Sequence, residues 1–266
     1  MSKYSRVFTL GLKNSMEYRT NFFFSIISAI FPIIIQIYLW TAIFNSSDSE
    51  IIYGYTYIQL ILYSILASII SKLMTTGIEN EISEDIKSGN LSKFLVQPIA
   101  YFLYKICSSY GQKIYQFILM FIFLGLCMYI FNIFYNMEIN FINFLFMLPI
   151  IFLSLLLSII VSCVFSLLAF WLTEAWAAFM ILGILVNVVS GGIFPLDIFG
   201  DKAVRVLNLF PFNYMVYFPI NVFCNRIVGN DILIGVIIQI IWIIVLIILL
   251  NVFWSLGLKK FTATGG

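Results

Sequence analysis

Long apolar runs separated by short polar segments make up most of this chain. A helix that crosses a bilayer needs about 20 apolar residues, each rising about 1.5 Å, and six runs are long enough. The apolar positions are continuous rather than alternating, which predicts helical spans and argues against a β-barrel. The predicted spans are Phe22–Phe44, Tyr57–Met74, Ile114–Phe134, Phe141–Leu172, Ala175–Phe194 and Ile232–Trp254.

The length of the fourth run and a possible seventh span bear on the number of crossings. The fourth run is longer than a bilayer requires, so we expect tilt, a bend near Pro149 or an interfacial first turn. A seventh span over Val206–Cys224 is rejected because Pro211 and Pro219 interrupt it. It would also move Lys259 and Lys260 to the outer side of the membrane.

The composition agrees with a membrane protein. Hydrophobic residues make up 62% of the chain, charged residues 10%, and the mean hydropathy is +1.07. Soluble domains carry about 25% charged residues, so the predicted fold class is an all-α integral membrane protein. The chain has no His, no paired CxxC cysteines and no GxxxxGK[ST] motif, so neither an enzyme nor a metal site is predicted.

The distribution of basic residues predicts the orientation. Eleven of the 14 Lys and Arg residues fall before span 1, between Lys72 at the end of span 2 and Lys113 just before span 3, or after span 6. Only Lys202, Arg205 and Arg226 fall on the opposite face. The positive-inside rule therefore places both termini and the loop of residues 77–113 in the cytoplasm.

Residues 1–21 are predicted to be an interfacial region. At about 100° per residue, Tyr4, Val7, Phe8, Leu12 and Met16 share one face of a helix over residues 3–19. The charged residues occupy the opposite face, as in helices that lie among lipid headgroups. A disordered basic tail is the alternative.

The loop of residues 77–113 holds nine of the 26 charged residues when Lys72 is counted with it. Isoleucines recur every fourth residue in its first helix, and the sequence SGN at 88–90 predicts its end. A second short apolar segment follows and ends at Pro98. Such amphipathic pieces suit a groove on a soluble partner, although a solvated connection between spans 2 and 3 is the alternative. The predicted docking residues are Ile78, Glu79, Ile82, Asp85, Ile86, Leu91, Phe94 and Leu95.

The region over residues 195–230, after span 5, is too apolar to be a solvated loop and too interrupted by prolines to be a helix that crosses the membrane. Gly191 and Gly192 allow a break, Pro195 stops a helix, and Pro211 and Pro219 interrupt the apolar run that follows. A re-entrant hairpin in the outer leaflet satisfies both constraints if its backbone packs against protein. An extracellular loop folded on the bundle is the alternative.

The membrane interior carries no ionisable residue at a clear midplane position. Its deep polar groups are hydroxyls and the amides of Gln36, Asn187, Gln239 and Asn251. Carriers driven by protons or sodium usually keep ionisable residues or broken helices at this depth. The energy for any transport is therefore expected to come from a partner.

Over essentially its whole length the chain resembles the membrane permease subunits of type-2 ATP-binding-cassette (ABC) exporters, particularly the small six-span permeases of bacteria. The resemblance is carried by the N-terminal helix, EISEDIKSGNLSKFLVQPI, GGIFPLDIF, LFPFNYMVYFPI and the terminal KKFTATGG. It implies one permease domain over residues 1–266, in a bacterial cytoplasmic membrane. It also implies a second permease subunit and two ATPase subunits, which would hold the ATP and magnesium, while this chain binds no cofactor.

The same resemblance assigns roles to two segments. Residues Glu79–Leu95 would be the coupling helix, and the region between spans 5 and 6 would shape an outer gate. The expected function is export of an amphipathic substrate such as a drug, lipid or antimicrobial peptide. The alternatives are a passive channel or ion-coupled carrier, and a non-transporting sensor or assembly subunit. The residues assigned to the gate are Gly191, Gly192, Pro195, Asp197 and Pro211.

Overall fold

The chain folds as an assembly of helices, as predicted. The structure is a computed structural model that describes the backbone of residues 3–17, 19–135, 137 and 139–261, and their side chains except those of 16–17, 19–27 and 29. The terminal TATGG motif and the side chain of Met16 therefore lie outside the described residues. The helices are α1 Lys3–Glu17, α2 Arg19–Asn45, α3 Tyr57–Met74, α4 Ile78–Lys87, α5 Leu91–Leu95, α6 Tyr101–Tyr135, α7 Phe141–Ser166, α8 Ala175–Val189, α9 Asp201–Leu207, α10 Tyr217–Phe223 and α11 Asn230–Leu258.

Within the described residues, four helical stretches are long and apolar enough to cross a membrane: Tyr57–Lys87, Tyr101–Tyr135, Phe141–Phe170 and Asn230–Leu258. Ile30–Asn45 and α8 are shorter apolar helices. α8 ends at Val189 instead of Phe194, because Gly191 adopts φ +80° and reverses the chain. α6 begins at Tyr101, well before the predicted Ile114, so much of the loop over 77–113 is helical.

A two-stranded hairpin, which the apolar pattern does not predict, precedes α3. Strands β1 Ile51–Ile52 and β2 Tyr55–Thr56 are antiparallel, and Tyr53 and Gly54 turn between them with φ of 53° and 77°. Thr56 then caps α3, since its hydroxyl accepts from the Gln59 amide and the Gln59 side chain accepts from the Thr56 amide. The hairpin thus sets where α3 begins.

α7 lies at the centre of the fold. In the stretch Phe141–Phe170, 61% of the most apolar 18 residues are buried. Gln239 of α11 is fully buried and donates to Ser154 Oγ of α7 at 3.0 Å and to the Tyr214 carbonyl at 2.9 Å. Gly235 lets the ring of Phe218 approach, because a Cβ there would lie 2.2 Å from that ring. Gln239, predicted from the sequence to be a deep polar group, therefore joins α11, α7 and the segment before α10.

α1 packs along the first turns of α6. Gly11 and Gly111 meet at the crossing, where a Cβ on Gly11 would lie 2.4 Å from the Ser108 carbonyl oxygen. Two glycines let helix backbones touch, as in other close helix crossings. The prediction of a helix here is confirmed, and its apolar face, including Tyr4 and Phe8, is partly covered by protein.

Candidate functional site

The isoleucine stripe of α4 faces the interior of the protein. Ile78, Ile82 and Ile86 are 1%, 0% and 7% exposed, and α4 packs against α7, α8 and the 3-10 turn Leu167–Phe170. Leu91 of α5 is also fully buried. These side chains pack inside their own chain, because burying the stripe releases more apolar area from water than leaving it free. Docking of the segment to a partner stays a prediction, and its exposed side chains are the ones placed to make that contact.

An ion cluster fixes the other side of α4 to α6. Lys105 Nζ lies 2.9 Å from Asp85 Oδ2 and 3.3 Å from Glu81 Oε2. The Tyr101 hydroxyl donates to the same Asp85 oxygen at 2.7 Å. The Lys105 side chain is only 10% exposed, so salt screens its bond to Asp85 less than it screens a surface pair. Asp85 is therefore an anchor of α4.

Two further lysines tie neighbouring elements together. Lys87 Nζ donates to the Thr173 carbonyl at 2.6 Å, in the turn before α8. Lys113 Nζ donates at 2.6 Å to the carbonyl of Thr75, the residue that ends α3. α4 is thereby held to α6, α7 and α8, and α6 is held to the end of α3. Movement of α4 would be transmitted to four longer helices.

The exposed side of the α4–α5 segment does not coincide with the docking residues predicted from the sequence. Glu84 and Lys87 are exposed on α4, and Leu95 and Val96 are 46% and 84% exposed at the end of α5. Phe94 is partly buried, with its ring centroid 5.1 Å from that of Tyr101. Among the predicted apolar docking residues, Leu95 is thus the one whose side chain is exposed.

Asp197 is the centre of a second polar cluster, between α8 and α11. Its carboxylate accepts from the Tyr55 hydroxyl at 2.6 Å and from the Tyr217 hydroxyl at 3.0 Å. The guanidinium of Arg226 lies 3.6 Å from the Tyr55 ring centroid and donates to the Gly54 carbonyl at 2.9 Å. Burial, and next the bond to Asp197, raise the pKa of Tyr55 well above its usual value. The cluster connects the β-hairpin to the segment of residues 191–229.

The glycines before this cluster allow close backbone contact. The Tyr63 hydroxyl donates to the Gly191 carbonyl at 2.7 Å, and a Cβ on Gly191 would lie 2.6 Å from that hydroxyl. A Cβ on Gly192 would lie 2.0 Å from Asn187 Oδ1. Pro195 and Pro211 are buried. The gate residues predicted from the sequence therefore lie in two packed stretches, before and after the exposed α9, and the second stretch continues into the buried α10.

Two cavities flank the end of α8. The first, of about 480 Å³, lies between α3, α4, α7 and α8. The second, of about 470 Å³, lies between α2, α3 and the chain that follows α8. Of the four deep amides named from the sequence, Gln36 and Asn187 line these cavities, whereas Gln239 is used in the core and Asn251 is exposed. Ser71, Thr75, Asn187 and Ile193 contribute to both cavities.

Several of these residues were missed by the sequence reasoning. Tyr55 and Arg226 lie in connections far apart in the chain, and no periodic pattern links them. Lys105 entered the sequence analysis only as one of the basic residues that predict the orientation of the protein in the membrane. The sequence does indicate that Lys105 and Tyr101 could contact the same partner, because they are four residues apart on a helix and so share one face. Recognising that requires knowing that the helix starts at Tyr101.

Comparison with known families gives an independent result. Residues 17–265 match the model of the ABC-2 family transporter proteins. No curated protein and no solved structure gives a significant match. The matched residues include every helix except α1. With its long apolar helices, the chain therefore belongs to the ABC-2 transporter family as a multi-pass membrane permease component, and not the ATP-hydrolysing part.

Proposed function

We propose that this chain is half of the permease of an ATP-driven exporter, in which two permease subunits work with two separate ATPase subunits. Both termini and the α4–α5 segment face the cytoplasm of a bacterial cell. α2, α3, α6, α7, α8 and α11 supply the six spans, and residues 195–230 re-enter the outer leaflet. The segment Glu79–Leu95 is the coupling element that contacts an ATPase subunit.

The observation that carries this proposal is the anchoring of α4. Its apolar stripe and the pair formed by Lys105 and Asp85 bind it to the spans, while its remaining side carries Glu84 and Lys87 in water. A coupling element needs both properties, since it must accept force from a partner and pass it on. A solvated connecting loop would need neither a buried stripe nor a shielded ion pair.

The proposed cycle uses these contacts in sequence. ATP binding closes the ATPase subunits and moves the exposed side of α4 and α5. Because α4 is attached to α7, α6 and the turn before α8, the spans move with it. The far end of α8 leads into Gly191 and the Asp197 cluster, which we assign to the outer gate.

A co-purification experiment tests the coupling surface. The full chain is expressed with a candidate ATPase subunit, and Val96→Asp combined with Leu95→Asp is compared with the parent. Both side chains are exposed, so the fold is expected to persist while ATPase recovery falls at least tenfold. Asp201→Lys, on exposed α9, is the matched control and leaves recovery unchanged.

Transport assays separate the proposal from its alternatives. In vesicles, the assembled complex should hydrolyse ATP faster when cargo is present, and the permease alone should move nothing. Transport or conductance by the permease without ATP would establish a channel or carrier instead. ATP hydrolysis that no cargo stimulates, together with normal ATPase recovery, would indicate a sensor or assembly subunit.

A further inference from the structure

The cavity between α3, α4, α7 and α8 has the size of a small-molecule site. Its volume of about 480 Å³ falls in the usual range of roughly 300–1,000 Å³. It extends from Thr76 and Asn80, at the start of α4, to Met215 and Val216, just before α10. It therefore connects the proposed coupling element to the segment assigned to the outer gate.

Glu79 is the only charged residue that lines this cavity in the described part of the chain. It lies in the first turn of α4, a position that favours negative charge. Glu81 and Asp85 on the same helix share Lys105, whereas no ion pair is present at Glu79 among the described side chains. A half-buried carboxylate without a cation beside it is costly for the protein. A cationic ligand would offset that cost.

Three lining side chains have a buried oxygen without a hydrogen-bond partner in the described structure. They are Glu79 Oε2, Thr76 Oγ1 and Ser71 Oγ. Native proteins leave few such atoms, and an unfilled ligand or water site is a common reason for them. These three oxygens belong to residues that line the cavity but have almost no accessible surface themselves, so each side chain must turn toward the cavity before a ligand can supply its missing partner.

The rest of the wall is aromatic and aliphatic. Phe165 of α7 and Trp176 and Phe179 of α8 line the cavity together with methionines. Aromatic faces attract organic cations as well as apolar groups. The second cavity differs, because its only charged lining residue among the described residues is Lys72. The two cavities therefore have opposite charge preferences.

We propose that the cavity beside Glu79 is the cytoplasmic binding site for the exported substrate, and that this substrate is an amphipathic organic cation. The proposal rests on the permease function argued above and narrows its substrate class. Glu79 binds the cationic group, Thr76 and Ser71 complete its polar surroundings, and the aromatic residues of α7 and α8 hold the apolar body.

Two probes of equal shape and opposite charge test the proposal. Tetraphenylphosphonium and tetraphenylborate are titrated against the full chain in lipid nanodiscs, with empty nanodiscs subtracted. Saturable binding of the phosphonium, at least tenfold tighter than any saturable binding of the borate, is expected. Equal binding of the two ions, or no binding above empty nanodiscs, would overturn the proposal and leave water as the occupant of the cavity.

Two substitutions locate the site. Glu79→Gln keeps the shape but removes the charge, so phosphonium affinity should fall about tenfold, the equivalent of roughly 1.4 kcal/mol. Glu174→Gln removes an exposed carboxylate just before α8 that does not line the cavity, and it should change nothing. Gly183→Leu should also weaken binding by filling the cavity, because a Cβ there meets no atom within 4 Å.

The outcomes separate this site from the proposed function. If Glu79→Gln and Gly183→Leu bind the phosphonium as the parent does, the cation site is wrong even when the ATPase subunit still co-purifies. If binding behaves as expected but no ATPase subunit is recovered, the site stands and the exporter assignment fails. Unfolded variants are recognised by their elution profile and replaced by Glu79→Met and Gly183→Val, which again remove the charge and fill the cavity.

Discussion

The α4–α5 segment and the segment of residues 191–229 are attached to the bundle in different ways. α4 buries one apolar stripe, uses the ion pair of Lys105 with Asp85, and leaves a row of polar side chains in water. The other segment buries all of Phe218–Phe223 and uses Asp197 with two tyrosine hydroxyls. The first can receive a partner, whereas α10 in the second is almost wholly enclosed by its own chain.

This difference matches the two proposed roles, a coupling element that receives force from a partner and a gate that closes the transport path. A surface that a partner pushes must be anchored to its own chain on one side and exposed to the partner on the other. α4 combines these features. A gate needs complementary internal contacts that separate and re-form. Substitutions at α4 should therefore divide sharply into structural and partner-specific effects, and substitutions around Asp197 should affect stability first.

Ile82→Asp should have the largest effect. Placing a carboxylate at a fully buried position with no cation beside it should destabilise the protein by about 4 kcal/mol or more. We expect loss of the monodisperse peak in detergent. Glu84→Asn on the exposed side of the same helix should keep the parent's melting temperature. A stable Ile82→Asp protein would show that the stripe is not internal.

Lys105→Met should have the next largest effect. It leaves Asp85, whose side chain is 17% exposed, with only the Tyr101 hydroxyl, which we expect to cost about 3 kcal/mol. The measurement is thermal unfolding in detergent. The double variant Lys105→Met, Asp85→Leu should recover much of the loss, because no unpaired charge remains buried. Absence of recovery would show that Lys105 acts through another contact.

Asp197→Asn should weaken the second segment by about 2 kcal/mol, since bonds to a charged acceptor are stronger than those to an amide. Proteolysis near residues 200–210 should become faster, while ATPase recovery stays normal. Asp201→Asn, on exposed α9, should leave the rate unchanged. An unchanged rate in Asp197→Asn would remove the cluster from the proposed gate.

Gly191→Ala should cost about 1–2 kcal/mol, because a side chain at φ +80° is strained and would meet the Tyr63 hydroxyl. Gly183→Ala on α8 is the matched control. It has open space around it, so improved helix propensity should leave stability equal or higher by about 0.5–1 kcal/mol. Similar melting temperatures for the two variants would contradict the tight turn at Gly191.

The smallest effect expected is a pH dependence from Tyr55. Its pKa is raised by burial and by Asp197, with Tyr217 acting in the same direction and Arg226 opposing them. Since the folded protein holds this proton more tightly, the stabilisation is complete below the unfolded pKa of about 10 and is lost as pH rises above it. Melting temperatures between about pH 8 and 11 should fall less steeply in Tyr55→Phe.

Much of the helical layout could be predicted because period and length are local properties. Continuous apolar runs predicted α2, α3, α7 and α11 to within a few residues at most of their ends. α6 was predicted too short, since its first turns are polar and resemble a loop. α8 was predicted too long, because the apolar pattern continues through Gly191 and Gly192 although the backbone reverses there.

The candidate site was predictable only in part. Hydrophobic spacing located the stripe of Ile78, Ile82 and Ile86, but spacing alone does not distinguish an internal face from a docking face. The second polar cluster joins Tyr55 to Asp197 and Arg226, which lie more than a hundred positions further along the chain, and only folding brings them together. The cavity beside Glu79 is likewise formed by four helices that no local pattern relates.

By itself, the sequence determined that this protein is a membrane protein made of helices, with one strongly polar segment between its second and third spans. Those properties follow from the free energy of moving each residue between water and hydrocarbon, which depends on the residue and its neighbours. Only the tertiary structure decided which face of α4 is buried, which lysine pairs with which acid, and where cavities remain. Those properties depend on packing between distant elements, which side-chain chemistry alone does not specify.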